Sequence, residues 1–125
     1  MNIKESGEDY LEAILMIERQ KGTVRSVDVA NELNVSKPSV SRAIHILAER
    51  GYLRIQPSAQ LVLSETGRAL AEKIYERHLF ISEFLIHIGV SEQVAVIDAC
   101  RMEHTLSDES FAALKQYILA HRKQS

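Results

Sequence analysis

Apolar positions early in the chain recur with the period of an α-helix. Residues 6–20 carry apolar side chains three or four positions apart, and an acidic residue follows Ser6 at the third position, close to a capping box. Residues 26–34 repeat the pattern and begin at Ser26, which can cap a helix. These stretches predict two amphipathic helices, with apolar faces formed by Tyr10, Leu11, Ile14, Leu15 and Ile17, and by Val27, Val29, Ala30 and Leu33.

A third helical pattern covers residues 36–51. Ser36 is its predicted N-cap, Pro38 lies in the first turn, where proline is tolerated, and Gly51 ends it. The predicted buried stripe consists of Val40, Ile44 and Leu47. Two short β-prone runs then flank the turn QPSAQ within residues 52–63, which predicts a hairpin.

The second half of the chain shows only helical patterns. A long helix is predicted over residues 64–89, capped by Ser64 and stopped by Gly89. A fifth helix is predicted over residues 91–106 and a sixth after Ser107. The predicted order is therefore three helices, a hairpin and three helices, which is a mainly α fold.

Composition narrows the class of protein. The 125 residues are 46% hydrophobic and 26% charged, as in a globular protein, and only two prolines and five glycines interrupt them. A net charge of −2 excludes overall attraction to nucleic acid, although a local basic face is compatible with it. We expect no membrane span and no signal peptide, and the single cysteine fits a reducing compartment. A cytoplasmic location is predicted.

The third helix and the hairpin together carry a DNA-binding signal. Two short helices followed by a two-stranded hairpin are the winged-helix arrangement, and the second helix begins with polar and basic side chains. Residues 36–54 hold four cations against the single carboxylate Glu49, a local excess of three positive charges. The same segment is also compatible with a well-capped helix that has a solvated face, and the turn PSAQ lacks a basic side chain. The hairpin favours DNA binding, with candidate contacts at Lys37, Pro38, Ser39, Ser41, Arg42 and Arg54.

Potential metal ligands recur at helical spacing. Cys100, Glu103 and His104 would share one face of the fifth helix, and Asp9 and Glu12 lie three residues apart on the first. His78 lies within an apolar series on the fourth helix. Each also has an ordinary explanation: a carboxylate at a helix N-terminus, a packed histidine, a small buried thiol. Carboxylate, imidazole and thiolate together suit a divalent transition metal.

The motifs EDYLE, VSKPSVSRAIHILAERGYL, the Arg77–His78 pair and EHTLS resemble, in order and spacing, the diphtheria-toxin-repressor and manganese-transport-regulator family. This resemblance covers nearly the whole chain. It implies a winged-helix DNA-binding domain over residues 1–63 and a helical metal-binding and dimerisation domain over residues 64–125. With no room for the SH3-like third domain of larger members, the chain is similar to the shorter, manganese-regulator branch.

The resemblance also implies a ligand set. By position, the family's metal ligands fall on Asp9, Glu12, His78, Cys100, Glu103 and His104. Five of these match the manganese branch, which has a glutamate in place of Cys100, whereas the iron-responsive branch has a cysteine there and a methionine in place of Asp9. The set is a hybrid of soft and hard ligands, and it leaves open whether one ion or two bind per subunit. Mn(II) or Fe(II) is expected as the cofactor, with Zn(II) or Co(II) able to bind in vitro.

These observations predict a metal-activated transcriptional repressor that controls metal-ion homeostasis. Its partners would be a double-stranded DNA operator and a second copy of the chain, because residues 79–99 carry more apolar side chains than one small domain buries. No membrane and no small-molecule substrate is expected. A winged-helix regulator that senses an organic ligand, or redox state through Cys100, is the alternative. An enzyme with a Cys100–His104 or metal-water centre is disfavoured, because both residues share one helix and no oxyanion-hole loop is present.

Overall fold

A computed structural model of the protein describes residues 7–122, which form six helices and one β-hairpin. The chain divides into two compact units, Met1–Lys73 and Ile74–Ser125. The predicted mainly α fold is confirmed. The proposed domain boundary between residues 63 and 64 stays a prediction.

Three helices build the core of the first unit. Helix α1 spans Glu8–Lys21, α2 spans Ser26–Leu33 and α3 spans Lys37–Glu49. Helix α2 packs against both α1 and α3. Their inward faces carry the predicted apolar stripes, because helical spacing places these side chains on one side. Val27 is the exception: it is 46% exposed, so its prediction as part of the buried face of α2 was wrong. The fully buried members are Leu11, Ile14, Leu15, Val29, Val40, Ile44 and Leu47.

The predicted hairpin follows α3. Strands β1, Leu53–Ile55, and β2, Leu61–Leu63, pair antiparallel, with Leu53 opposite Leu63. The period of two buries Leu53, Leu61 and Leu63 while Arg54 points to solvent. Leu61 N also donates to Val24 O at 2.8 Å, which attaches β2 to the segment between α1 and α2.

The N-caps observed in the structure can be compared with the helix starts predicted from the sequence. Ser36 caps α3 as expected, since its hydroxyl accepts a bond from Ser39 N at 3.3 Å. The prediction for Ser26 was wrong: Ser26 is the first residue of α2, and Arg25 is the N-cap. The Asp28 carboxylate accepts from Arg25 N at 2.9 Å and thus replaces the expected serine cap. The predicted cap at Ser6 lies outside the described residues.

Helix α4, Glu65–His87, begins close to the turn between α3 and β1. The Ser64 hydroxyl accepts from Gly67 N at 3.0 Å and donates to Gly51 O at 2.6 Å, so the predicted cap is confirmed and also contacts the turn. A Cβ at Gly67 would lie 1.8 Å from Tyr52 O. Only glycine fits at this position.

In the second unit the rest of α4 is followed by α5, Glu92–Met102, and α6, Asp108–Arg122. Aromatic side chains of α4 meet those of α6 edge to face: Phe80 with Phe111 at 6.2 Å and Phe84 with Tyr117 at 5.9 Å between ring centroids. Small residues of α5, Ala95 and Ala99, are fully buried.

Helix α5 ends earlier than the sequence pattern predicts. Its last residue is Met102, and Glu103 is the C-cap, which still has helical φ and ψ and donates its N–H to Ala99 O at 2.9 Å. Cys100 and Glu103 therefore share a face as predicted, whereas His104 lies in the turn that follows. The turn after the helix is held by Arg77 of α4, whose guanidinium donates to Glu103 O at 3.3 Å and to Leu106 O at 2.5 Å. A side chain thus satisfies two carbonyls that the helix no longer does.

Among residues 7–122, no helix is long and apolar enough to cross a membrane.

Candidate metal centre and nucleic-acid interface

Three predicted ligands come together in the second unit. His78 of α4, Cys100 of α5 and Glu103 of the following turn place one donor atom each within 4.8 Å of one another. His78 Nδ1 lies 3.1 Å from Glu103 Oε2 and 3.8 Å from Cys100 Sγ. A fourth predicted ligand, His104, lies beside them, with Nε2 3.4 Å from Glu103 Oε1. The arrangement is a compact set of nitrogen, sulfur and oxygen donors.

Arg77 positions the turn that carries two of these donors. Its side chain is 5% exposed, and besides the two carbonyls it donates to Asp108 Oδ1 at 2.5 Å. The guanidinium also lies 5.1 Å from the centroid of the Phe111 ring. One buried cation therefore connects α4 to the turn and to the start of α6. In the sequence, Arg77 stands out only as part of the Arg77–His78 motif. The available signal for its structural role was a charged side chain next to His78 within an apolar series.

Burial separates Glu103 from an ordinary surface carboxylate. Its side chain is 0% exposed, and Oε1 accepts no hydrogen bond from any of the described residues. The nearby His104 Nε2 lacks the geometry to donate to it. A buried polar atom without a hydrogen bond costs about 1–3 kcal/mol, and more when it is charged. Coordination of a cation would remove this cost.

Electrostatics at His78 agree with this interpretation. The Cys100 sulfur and then the Glu103 carboxylate accept from His78 Nδ1 and raise the pKa of the imidazole to about 10, against the opposing effect of burial. The surroundings therefore stabilise positive charge at this point. A divalent cation bound by neutral imidazole, carboxylate and thiolate would replace the proton. The residues present fit a transition-metal ion.

Two further predicted ligands lie in the first unit. Asp9 and Glu12 are both on α1, three residues apart and half-buried. This spacing places their side chains on one helical face. Their role as ligands stays a prediction.

The predicted DNA contacts lie on an exposed surface of the first unit. Each of the six residues is exposed, at the start of α3 or on β1. Among residues 7–122, no carboxylate forms an ion pair with Lys37, Arg42 or Arg54. The buried side of α3 is apolar, so the helix presents a basic, hydroxyl-bearing face to solvent. This is the chemistry that phosphate and base-edge recognition requires.

Fold and site together define a class of protein: a winged-helix DNA-binding unit joined to a helical unit with a candidate metal centre. Residues 2–61 match the family described as iron dependent repressor, N-terminal DNA binding domain. Residues 64–124 match the iron dependent repressor, metal binding and dimerisation domain. The chain belongs to the iron-dependent-repressor family of metal-dependent transcriptional regulators.

Individual relatives support the same family assignment. The chain is 36% identical over 114 residues to the transcriptional regulator MntR of Escherichia coli O6:H1, covering 91% of this chain and 74% of the relative. The structure of the metal-dependent regulator MtsR is 31% identical with a TM-score of 0.83, covering 94% of this chain and 54% of MtsR. The structure of the manganese regulator SloR is 27% identical with a TM-score of 0.80, and the match covers 89% of this chain and 52% of SloR. The chain thus spans about half the length of these two structures. These matches are regulators and not enzymes.

Proposed function

We propose that this protein is a transcriptional repressor activated by Mn(II) or Fe(II), acting in the cytoplasm to control uptake or storage of that metal. The observation that carries the proposal is the buried Glu103 carboxylate, whose Oε1 accepts no hydrogen bond from the described residues beside His78 and Cys100. A family of metal-dependent regulators supports the same conclusion. Relatives named for manganese support Mn(II) as one candidate.

The proposed ligand set is the one that the resemblance implies: Asp9, Glu12, His78, Cys100, Glu103 and His104. Geometry in the second unit supports four of these, and the shared helical face of α1 supports Asp9 and Glu12. Binding of an ion by this set would favour the state of the protein that binds DNA. The ion supplies positive charge that fixes the ligands; the protein supplies the DNA contacts.

Cys100 bears on which metal is bound. A thiolate favours Fe(II), Zn(II) or Co(II), whereas carboxylates tolerate the harder Mn(II). In this structure Cys100 is exposed and Glu103 fully buried, so the thiol is the donor that an ion can recruit or leave without stranding a buried charge. We propose that the site accepts both Mn(II) and Fe(II).

We further propose that the protein acts as a homodimer on a two-fold DNA operator. Large apolar side chains stay exposed in the second unit. Patches of this kind mark interfaces. They comprise Leu79, Ile86, Ile88, Val94, Val96, Ile97, Tyr117 and Leu119. Within the apolar segment 79–99, Phe80 and Phe84 instead pack against α6 inside the chain. A charge at Ile97, as in Ile97→Glu, should convert a sedimenting dimer to monomer; an unchanged dimer would contradict this surface.

Removal of the central ligands tests the proposed function. An operator can be selected from a random DNA pool with Mn(II)-loaded protein, and binding measured by fluorescence anisotropy with and without metal. His78→Ala and Glu103→Gln should lose the metal-induced gain in DNA affinity, because each removes a donor from the centre. Glu92→Gln, an exposed carboxylate at the start of α5, is the matched control. A wild-type metal response in both ligand variants would refute the assignment.

A further inference from the structure

A second group of donor side chains lies at the far end of the same unit. A cleft of about 90 Å³ opens between the last turns of α4 and α6. Four of its five lining residues are polar or charged: Glu83, His87, His121 and Arg122, with Ile118 as the apolar wall. This volume holds an ion and about two or three waters at about 30 Å³ each.

His121 is oriented as metal-binding histidines are. Its Nδ1 lies 2.8 Å from Tyr117 O. A carbonyl oxygen only accepts, so Nδ1 carries the proton, and in the neutral ring the lone pair belongs to Nε2. The Tyr117 ring stacks on the imidazole at 3.8 Å between centroids and restricts its rotation. A histidine whose other nitrogen donates to a backbone carbonyl is the usual arrangement at a metal ion.

Helix α4 contributes two donors from one face. Glu83 and His87 are four residues apart, the spacing at which side chains of adjacent turns meet. The His87 ring centroid lies 6.3 Å from that of His121, at an interplanar angle of 62°. Two imidazoles on one tetrahedral ion have centroids about 5 Å apart. The His87 ring must therefore move toward His121 before both can bind one ion, and its exposure at the surface permits this.

We propose that Glu83, His87 and His121 form a second divalent-metal site, suited to Zn(II) or a similar borderline ion with water as the fourth ligand. Imidazole and carboxylate donors are those that such ions take. His87 lies nine positions after His78 on α4, about 13 Å along the helix, so this ion is distinct from one at the candidate centre. The proposal does not depend on the function of that centre. A bound ion would connect the C-terminal ends of α4 and α6.

Arg122 is the competitor for this site. Its guanidinium forms two hydrogen bonds to Glu83, through Nε to Oε2 at 2.7 Å and through Nη2 to Oε1. The ion pair keeps Glu83 charged and, chiefly through these bonds, lowers the pKa of its carboxyl group. Metal binding must displace the guanidinium. Because both partners are partly exposed, that displacement costs little.

The same contacts disfavour an anion as the occupant. Two donors of Arg122, Nε and Nη2, already bond to Glu83, and the carboxylate itself repels an anion. Neutral imidazoles offer lone pairs, which attract cations. The chemistry of the cleft therefore selects a divalent cation.

Zinc titration of the full chain, followed by NMR of the histidine side-chain nitrogens, tests the proposal. Zn(II) should shift Nε2 of His121 and one ring nitrogen of His87. Glu83→Gln should weaken this binding at least about tenfold, as loss of a carboxylate at a metal site does. Arg122→Gln should strengthen it, by up to about fivefold, because the competing ion pair is removed. Opposite effects from the two halves of one ion pair would not arise from a merely structural role.

His45 provides an internal control. Its Nδ1 makes the same kind of bond, to Ser41 O at 2.7 Å, on a different helix. Its signals should stay unchanged at the zinc concentration that shifts His121. Three outcomes would each overturn the proposed site. The first is that the ring-nitrogen signals of His87 and His121 do not shift at excess Zn(II), and the second is that those of His45 shift equally. The third is that Glu83→Gln and Arg122→Gln bind Zn(II) with equal affinity.

Discussion

At the scale of single residues, the candidate centre combines donors of unequal exposure. Glu103 is fully buried and His104 nearly so, whereas Cys100 is exposed at 3.8 Å from His78 Nδ1. If a buried carboxylate dissociates from a bound ion, its charge stays buried without a partner, which costs much free energy. An exposed thiol can dissociate without this cost, because water solvates it. We therefore expect Glu103 to contribute to affinity for every divalent metal and Cys100 to contribute to the choice among metals.

Cobalt provides a direct test of Cys100. Co(II)–thiolate bonding produces a near-ultraviolet charge-transfer band, so wild type should develop this band on titration and Cys100→Ser should not. Cys100→Glu should shift preference toward Mn(II), since it replaces a soft ligand with a hard one. Identical spectra and equal affinities for wild type and Cys100→Ser would show that the thiol is a bystander.

Asp28 provides a second residue-scale prediction, on stability. Its carboxylate accepts from Lys21 Nζ at 2.8 Å and from Arg25 N at 2.9 Å, and these bonds, the Lys21 bond first, lower the pKa of the group below 3.8. A lowered folded pKa means that the stabilisation is present above the unfolded pKa and is lost as pH falls through the folded value. Asp28→Asn should cost about 1 kcal/mol at pH 7.

Thermal unfolding at pH 7, 5 and 3 checks this expectation. The melting temperatures of wild type and Asp28→Asn should approach each other as pH falls, because the stabilisation is lost as pH drops below the unfolded pKa and through the lowered folded pKa. Glu32→Gln, an exposed carboxylate on the same helix, is the control. A difference that is constant across the three pH values would mean that charge at Asp28 is not responsible.

At the scale of elements, local chemistry predicted most helix starts but not every end. Ser36 and Ser64 cap their helices as the sequence indicated, and Ser91 caps α5 in the same way, because the interaction spans three residues. The turn after α5 could not be predicted in this way. Arg77 donates hydrogen bonds to carbonyls of this turn that lie 26 and 29 residues away in the chain, and no local pattern encodes these bonds.

The junction of α4 with the preceding turn yields a sharp prediction. Gly67→Ala places a methyl group 1.8 Å from Tyr52 O, a backbone atom that cannot rotate away. The start of α4 must shift, which disturbs the Ser64 bonds to Gly67 N and Gly51 O. We expect a loss of several kcal/mol, on the order of 3, as for severe overpacking. Denaturant unfolding measures it; Ala69→Gly, at an exposed position of the same helix, should cost only about 1 kcal/mol.

At the scale of the whole molecule, the sequence predicted the donor types of the centre better than their environments. The identities of His78, Cys100 and Glu103 follow from motif positions. Their proximity depends on contacts 22 and 25 residues apart in the chain, and the burial of Glu103 depends on packing around it. The cleft at His87 and His121 carried no motif at all, so only the structure brings these residues into view.

The proposed coupling between metal and operator gives the last prediction. If metal binds the DNA-competent state more tightly, Mn(II) must raise DNA affinity by the same factor by which DNA raises Mn(II) affinity, about 5- to 150-fold in typical allosteric proteins. Both factors can be measured by anisotropy and by metal titration of free and DNA-bound protein. Unequal factors at equilibrium, or a factor of one, would contradict the proposed mechanism.

Two variants should separate the DNA-binding step from the metal-binding step of this thermodynamic cycle. Arg42→Ala removes a cation proposed to bind phosphate on the exposed face of α3, so DNA affinity should fall and the salt slope should decrease by about one, while the metal affinity of the free protein should be unchanged. Glu103→Gln should do the opposite: metal-free DNA affinity stays the same and the coupling factor is lost. If Arg42→Ala weakened metal binding by free protein, or Glu103→Gln weakened metal-free DNA binding, the DNA and metal sites would not be separate, and the assignment of one surface to each would fail.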